Sequence, residues 1–150
     1  MNNGISFEDY LARHDALTYT NVGVSMQPLL REGKDLFIVR KKGAERCRKG
    51  DVVLYKRASE SYVLHRIIEV HPTEYVILGD NCILKEYGIR DKDILGIMTG
   101  FVRNGREHST REPVYRMYSF LILHTIALRV FLKRFRIKAA KIVKRGLHEG

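Results

Sequence analysis

The stretch DVVLYKRASESYVLHRIIEVHPTEYVIL, residues 51–78, contains three short runs rich in Val, Ile, Leu and Tyr, with polar residues between them. Runs of this length and composition are typical of β-strands. Two similar runs lie at residues 35–39 and 94–102. No segment with helical periodicity separates any of these runs, which disfavours βαβ units. We therefore expect a mainly β protein, a small antiparallel sandwich or barrel of strongly curved sheets.

Helical patterns flank this β-rich part. The motif SFED at residues 6–9 fits a capping box, and apolar residues up to Leu17 recur near helical spacing. The predicted organisation is therefore a short N-terminal helix over residues 1–17, a β-rich domain over residues 18–114, and an apolar and then basic C-terminal helix over residues 115–150.

The net charge of +10 is concentrated at the C-terminal end, where residues 129–150 hold eight basic residues against one acidic residue. At 100° per residue the basic side chains lie opposite an apolar helix face. That face consists of Leu128, Phe131, Leu132, Phe135, Ala139, Ile142 and Val143. The eight basic residues are Arg129, Lys133, Arg134, Arg136, Lys138, Lys141, Lys144 and Arg145.

A basic amphipathic helix of this kind binds anionic membrane surfaces. The alternative is that its apolar face packs on the domain. Nucleic acid is disfavoured as a partner, because no aromatic stacking residues or nucleic-acid motif accompany the charge. The apolar stretch at residues 117–132 is short and is interrupted by His124 and Arg129, so it allows either a short membrane span or an interfacial helix. We expect the protein to be membrane-associated through this segment.

Neither a metal site nor a cofactor is predicted. Cys47 and Cys82 lack CxxC spacing and a nearby set of His ligands, which also disfavours a disulfide framework. The N-terminal segment is polar and acidic, so we expect no secretory signal there.

Three residues form a candidate catalytic group. Ser25 lies where an extended apolar segment reaches the turn at Pro28, and Gly23 would let a substrate backbone approach it closely. His65 shares a strand face with apolar neighbours that would keep its imidazole neutral as a general base. Asp80, in the turn after a strand, is placed to orient that imidazole. Taken singly, each residue is better described structurally, as a turn serine, a core histidine and a turn aspartate.

The order of the motifs carries more information than any one of them. The chain contains SMQP at residues 25–28, GDVV at 50–53, HRI at 65–67 and GDN at 79–81. These four motifs, followed by a final strand beginning ILG, resemble the conserved boxes of type I signal peptidases in their order. The resemblance covers about residues 18 to 102. Because His65 stands where most bacterial members have lysine, the chain is similar to the endoplasmic-reticulum and spore-former branch.

The resemblance implies a serine endopeptidase that cleaves signal or leader peptides after small residues. Ser25 would be the nucleophile, His65 the general base and Asp80 the orienting acid. The substrate would add as an extended strand beside the serine, with Gly23, Ser25 and Met26 forming the oxyanion and substrate-binding region.

Three departures from the family pattern qualify this prediction. Gly23 stands where the lysine branch often has a hydroxyl residue, so the oxyanion hole would depend on backbone N–H groups. The family's further aspartate after GDN is missing, which makes Glu86 an alternative acid to Asp80. The family's N-terminal membrane anchor is not seen, which leaves membrane contact to the C-terminal helix.

Two other functions remain as alternatives. One is a regulatory peptidase domain like that of self-cleaving repressors, which share the serine and GDVV motifs but use a lysine base. The other is a catalytically inactive module that binds a membrane surface and has kept the fold.

Overall fold

The computed structural model describes residues 4–146. Within them three α-helices and one short 3-10 helix (Asp91–Asp93) accompany eight β-strands. The helices are α1 (Phe7–Arg13), α2 (Pro113–His124) and α3 (Ile126–Gly146). The strands are β1 (Ala16–Thr20), β2 (Leu36–Lys41), β3 (Val52–Lys56), β4 (Tyr62–Val70), β5 (Tyr75–Leu78), β6 (Glu86–Ile89), β7 (Ile94–Arg103) and β8 (Arg106–Ser109).

The strands form one antiparallel sheet in the order β1-β2-β7-β3-β4-β5-β6, and β8 pairs with β7. The five predicted apolar runs correspond to β2, β3, β4, β5 and β7. Their short length and the turn residues between them allow each strand to fold back on a neighbour. The prediction of a mainly antiparallel β protein with helices at its two ends is confirmed.

The core lies on both faces of the sheet. Alternate side chains of a strand point to opposite faces. On β3, Val52 and Leu54 therefore join one buried cluster, and Val53 and Tyr55 join another. The first cluster also contains Met26 from the loop after β1. The serine loop, residues 21–35 between β1 and β2, is thus anchored in the core by a residue next to the candidate nucleophile.

The N-terminal helix is shorter than predicted. Ser6 caps α1 as expected, since its Oγ accepts the N–H of Asp9 at 3.1 Å. The helix ends at Arg13, and Leu17 lies instead in β1, opposite Val39 of β2. The residues that follow Leu17, Thr-Tyr-Thr, favour a strand because β-branched and aromatic side chains fit a pleated surface. The short strands β6 and β8 were also not predicted.

The C-terminal apolar stretch is broken at Thr125. α2 and α3 meet there at a bend of 66°. The Thr125 hydroxyl donates to the carbonyl of Leu121 at 2.6 Å, and the Arg129 guanidinium donates to the carbonyl of Ile122 at 2.9 Å. Residues 4–146 contain no single helix with both the length and the apolar character of a membrane span. Helices α2 and α3 have this length and apolar character only when they are taken together as a bent pair.

The apolar face of α3 is exposed. Leu128, Phe131, Phe135, Ile142 and Val143 have exposed fractions between 59% and 70%. The alternative in which this face packs on the domain is therefore wrong for these residues.

Two of the eight basic residues turn towards the domain instead. Arg129 donates to the carbonyl of Asp80 at 2.6 Å, and Lys133 donates to Asn81. The prediction that these two residues belong to the membrane-binding surface is therefore corrected, because their side chains bind the domain. The exposed cations on α3 are Arg134, Arg136, Lys138, Lys141, Lys144 and Arg145.

Candidate active site

Ser25 and His65 line the same cavity, which has a volume of about 370 Å³. One wall comes from β1 and the loop after it, from Tyr19 to Ser25. The opposite wall comes from the first half of β4, and Cys82 lies on its border. The two motifs that sequence reasoning singled out, 40 residues apart in the chain, are therefore brought to one site. Among the described residues no group of His, Cys, Asp or Glu side chains is arranged to hold a metal ion.

The serine loop is closed at its base by main-chain hydrogen bonds and a buried carboxylate. The N–H of Asn21 donates to the carbonyl of Asp35 at 2.9 Å, which joins the two ends of the loop. The Asp35 carboxylate is fully buried and accepts from Arg31 and Arg103, each at 2.7 Å. Burial would raise the pKa of Asp35, but these hydrogen bonds hold it well below its usual range. The loop therefore starts and ends at fixed points.

Gly23 has a backbone conformation that other residues rarely adopt, with φ of +86°. Its N–H donates to the Glu32 carboxylate at 3.1 Å and so is not available to a substrate. By contrast, the N–H groups of Ser25 and Met26 donate to no acceptor within residues 4–146. Of the three residues predicted for the oxyanion region, Ser25 and Met26 therefore have unpaired donors, of which Ser25 lines the cavity and Met26 is buried beside it, and Gly23 contributes its conformation.

His65 is buried on β4, and its ring is held on one side by two groups. Nδ1 lies 3.3 Å from Oε1 of Glu86 and 3.3 Å from the hydroxyl of Tyr55. Burial lowers the pKa of His65 below 6.5, and the nearby Glu86 carboxylate opposes that shift only in part. The imidazole is therefore neutral at pH 7, which a general base requires.

Glu86 is itself fixed by Arg57, the first residue after β3. Arg57 Nε donates to Oε2 at 2.9 Å, and its Nη2 makes a second hydrogen bond to Oε1. Burial would raise the pKa of Glu86, but the hydrogen bonds from Arg57 and Tyr55 keep it lower than usual. A charged carboxylate thus stands beside His65 Nδ1, in the position that an orienting acid occupies in a catalytic triad.

Asp80 does not contact His65. Its two carboxylate oxygens each accept from Arg66 at 2.8 Å, and one also accepts from the Tyr118 hydroxyl at 2.8 Å. Arg66 follows His65 on β4 and points to the other face of the strand. Its guanidinium is fully buried and has to be paired with a carboxylate. The predicted pairing of Asp80 with His65 is therefore corrected in favour of Glu86, the alternative acid.

Gly79 marks how closely the serine loop and the histidine approach. A Cβ atom at this position would lie 2.8 Å from the carbonyl oxygen of Ser25 and 2.9 Å from His65 Nε2. Only a residue without a side chain fits between them. Within residues 4–146 the polar contacts of the His65 side chain are with Tyr55 and Glu86 and do not include Ser25, and catalytic hydrogen bonds are often absent before substrate binds.

Comparison with known proteins adds no relative. No protein-family model and no curated protein sequence matches the chain. The argument for function therefore depends on the site itself.

Sequence reasoning missed three residues that shape the site, namely Tyr55, Arg57 and Asn81. Tyr55 and Arg57 are two positions apart, so alternation places both on one strand face. The register that pairs Val53 with His65 then brings that face to the histidine. Asn81 belongs to the GDN motif, but no pattern in the sequence shows that it contacts the serine loop.

Proposed function

We propose that the protein is a serine endopeptidase of the signal-peptidase type, in which Ser25 is the nucleophile, His65 the general base and Glu86 the acid that orients His65. The observation that carries the proposal is the juxtaposition of Ser25 and His65 in one cavity, with a carboxylate held at the far nitrogen of the imidazole. Nucleophile, base and orienting acid are the groups that acyl transfer requires.

The proposed reaction follows from the hydrogen-bond partners. With its proton on Nδ1 facing Glu86, neutral His65 presents a free lone pair at Nε2, the atom beside Gly79. Nε2 takes the proton of Ser25 as Oγ attacks the scissile carbonyl, and the unpaired N–H groups of Ser25 and Met26 stabilise the oxyanion. The imidazolium then gives its proton to the leaving amine, and Glu86 stabilises the imidazolium while it exists.

The strand edges beside the cavity suit an extended peptide substrate. β1 lies at one end of the sheet order and pairs only with β2 among the described strands. The first half of β4, Tyr62–His65, pairs with β3, whereas β5 pairs only from Arg66 onwards. Both walls of the cavity therefore offer main-chain groups to a peptide that adds as a strand. The limited volume favours small side chains next to the scissile bond, as expected for a signal or leader peptide.

The same proposal includes association with an anionic membrane through α3. Its exposed apolar side chains and the six exposed cations beside them have the chemistry of an interfacial helix. The 66° bend at Thr125 favours a helix that lies on the membrane over a straight span through residues 117–132. A surface-bound enzyme would meet membrane-inserted leader peptides at the site of their insertion.

The activity is tested with quenched fluorescent peptides that contain an apolar leader and small residues before the scissile bond. We expect the wild-type protein to cleave them at one site, which mass spectrometry of the products defines. Ser25→Ala and His65→Ala should each lower kcat by about 10³-fold or more, because removing a member of a catalytic group disables the rest. Ser61→Ala and His71→Ala, at exposed positions, serve as matched controls and should keep full activity.

The remaining outcomes separate the alternatives. Equal rates for the wild type and folded Ser25→Ala protein contradict the proposal. Cleavage of the chain itself, with no turnover of added peptide, favours the self-cleaving regulatory domain. Binding to anionic vesicles without any cleavage favours the inactive membrane module.

A further inference from the structure

Helix α3 makes a direct polar contact with the GDN turn. The ammonium group of Lys133 donates to Oδ1 of Asn81 at 2.7 Å and also to the main-chain carbonyl of Asn81. One turn earlier on the same helix, Arg129 donates to the carbonyl of Asp80 at 2.6 Å. Two cations one helical turn apart therefore bind two successive residues of this turn, and both are only half-exposed.

Asn81 in turn binds the serine loop through both of its donor groups. Its main-chain N–H donates to the carbonyl of Ser25 at 2.8 Å. Its side-chain Nδ2 donates to the carbonyl of Val24 at 3.0 Å. Asn81 thus lies between α3 and the serine loop. Its oxygen atoms accept hydrogen bonds from Lys133, and its N–H groups donate hydrogen bonds to the loop.

These two carbonyls belong to the peptide planes that carry the proposed oxyanion donors. The Val24 carbonyl shares a plane with the N–H of Ser25, and the Ser25 carbonyl shares a plane with the N–H of Met26. Because a trans peptide unit is planar, its N–H points away from its carbonyl, and fixing the carbonyl fixes the N–H. Both N–H groups donate to no acceptor within residues 4–146.

We propose that Asn81 and Lys133 are positioning residues, which hold the N–H groups of Ser25 and Met26 in the orientation that binds the oxyanion. This inference depends on the proposed function of Ser25. Neither residue lines the cavity that holds Ser25 and His65. Lys133 fixes the side-chain amide of Asn81, so that Nδ2 is directed at the serine loop. The C-terminal helix is therefore a support of the active site as well as a candidate membrane surface.

The test compares Lys133→Met with Lys133→Arg and with Lys49→Met in the full chain. Lys133→Met removes the donor and keeps most of the apolar stem, and we expect kcat to fall about 10-fold to 10²-fold with KM and Tm unchanged, because donors to the oxyanion act in the transition state. Lys133→Arg should restore part of kcat. Lys49→Met, at an exposed position outside α3, should behave as wild type.

Asn81→Asp separates the two contacts of the asparagine. It keeps an acceptor for Lys133 and the main-chain N–H, but it loses the Nδ2 donor to the Val24 carbonyl. We again expect a fall in kcat of about 10-fold to 10²-fold. A peptide boronate, which forms a tetrahedral adduct with the serine, should lose affinity by the same factor. The product peptide, which needs no oxyanion donors, should bind as before.

The outcomes distinguish this inference from the proposed function. If the wild type cleaves and Ser25→Ala does not, but Lys133→Met and Asn81→Asp keep the wild-type kcat, only the inference is overturned. A fall in kcat that is accompanied by a higher KM and a lower Tm also overturns it, since that pattern indicates a purely structural role. A wild-type protein that cleaves no peptide overturns both.

Discussion

At the scale of single residues, two carboxylates lie near β4, on opposite faces of that strand. Asp80 pairs with buried Arg66 on one face, and Glu86 stands beside His65 on the other. Glu86 is kept charged by Arg57, although it is partly buried. The two carboxylates are therefore expected to respond differently to mutation. Replacing Glu86 should affect catalysis, whereas replacing Asp80 should affect stability.

We predict that Glu86→Gln lowers kcat by about 10²-fold to 10⁴-fold and leaves the fold intact, because an amide cannot stabilise the imidazolium. Asp80→Asn should instead lower the free energy of unfolding by about 3–5 kcal/mol, because it leaves the Arg66 charge buried without its partner. Peptide cleavage and urea unfolding measured on both variants check the assignment. The reverse pattern, with Asp80→Asn folded and inactive and Glu86→Gln active, would return the orienting role to Asp80.

The same assignment predicts a pH profile. Because His65 has to be neutral and burial lowers its pKa, kcat/KM should fall with decreasing pH along a limb whose midpoint lies below 6.5. Glu86 favours the charged imidazolium, so Glu86→Gln should move that midpoint to still lower pH. The measurement is kcat/KM between pH 4.5 and 8, each value taken over a pH range where the protein is shown to remain folded. A midpoint above 6.5 in the wild type, or an upward shift in the variant, would contradict the arrangement.

At the scale of elements, the turn after β5 is the point where three parts of the site meet. A methyl group on residue 79 would come within 2.7 Å of the Cys82 sulfur, 2.8 Å of the Ser25 carbonyl oxygen and 2.9 Å of His65 Nε2. The sulfur can move, but the carbonyl is held by Asn81 and the imidazole by Glu86. The glycine is therefore required by the approach of the serine loop to β4.

We predict that Gly79→Ala lowers kcat at least 10-fold and costs about 1–3 kcal/mol of stability, because the added methyl overpacks the site. Gly43→Ala, where an added Cβ meets nothing within 4 Å, is the matched control and should change neither quantity. Combining Gly79→Ala with Cys82→Ala relieves only the contact with sulfur, so the double variant should remain impaired. Full recovery in the double variant would show that the backbone and imidazole contacts are not limiting.

The elements show which features the sequence can predict. β3, β4 and β5 were predictable, because each is a short apolar run bounded by turn residues. β1 was missed, because Leu17 fits the helical spacing of the residues before it and the competing preference of Thr-Tyr-Thr is weak. The choice between Asp80 and Glu86 needed the observation that an arginine buried in an apolar strand requires a carboxylate. Asn81 could not be assigned at all, since its contacts depend on how the serine loop and α3 pack against the turn.

At the scale of the whole molecule, α3 presents different chemistry on its two sides. Its inner side reaches the serine loop through Lys133 and Asn81. Its outer side leaves Phe131 and Phe135 exposed beside a row of cations. In the proposed enzyme, α3 brings a candidate membrane surface next to the candidate active site, and variants on the two sides of this helix should affect separate properties.

We predict that Phe131→Ser combined with Phe135→Ser weakens binding to vesicles of anionic lipid by about 10²-fold, because burying each phenyl group contributes about 1.5 kcal/mol or more and 1.4 kcal/mol is a factor of ten. Cleavage of a water-soluble peptide should be unchanged, since neither side chain faces the cavity. Lys133→Met should have the opposite effect, with vesicle binding kept and kcat lowered. Co-sedimentation with vesicles of anionic and of neutral lipid, at low and high salt, measures the first property. Binding that is equal for both lipids, or retained in the double variant, would mean that α3 does not face a membrane, and that its exposed phenylalanines have another partner.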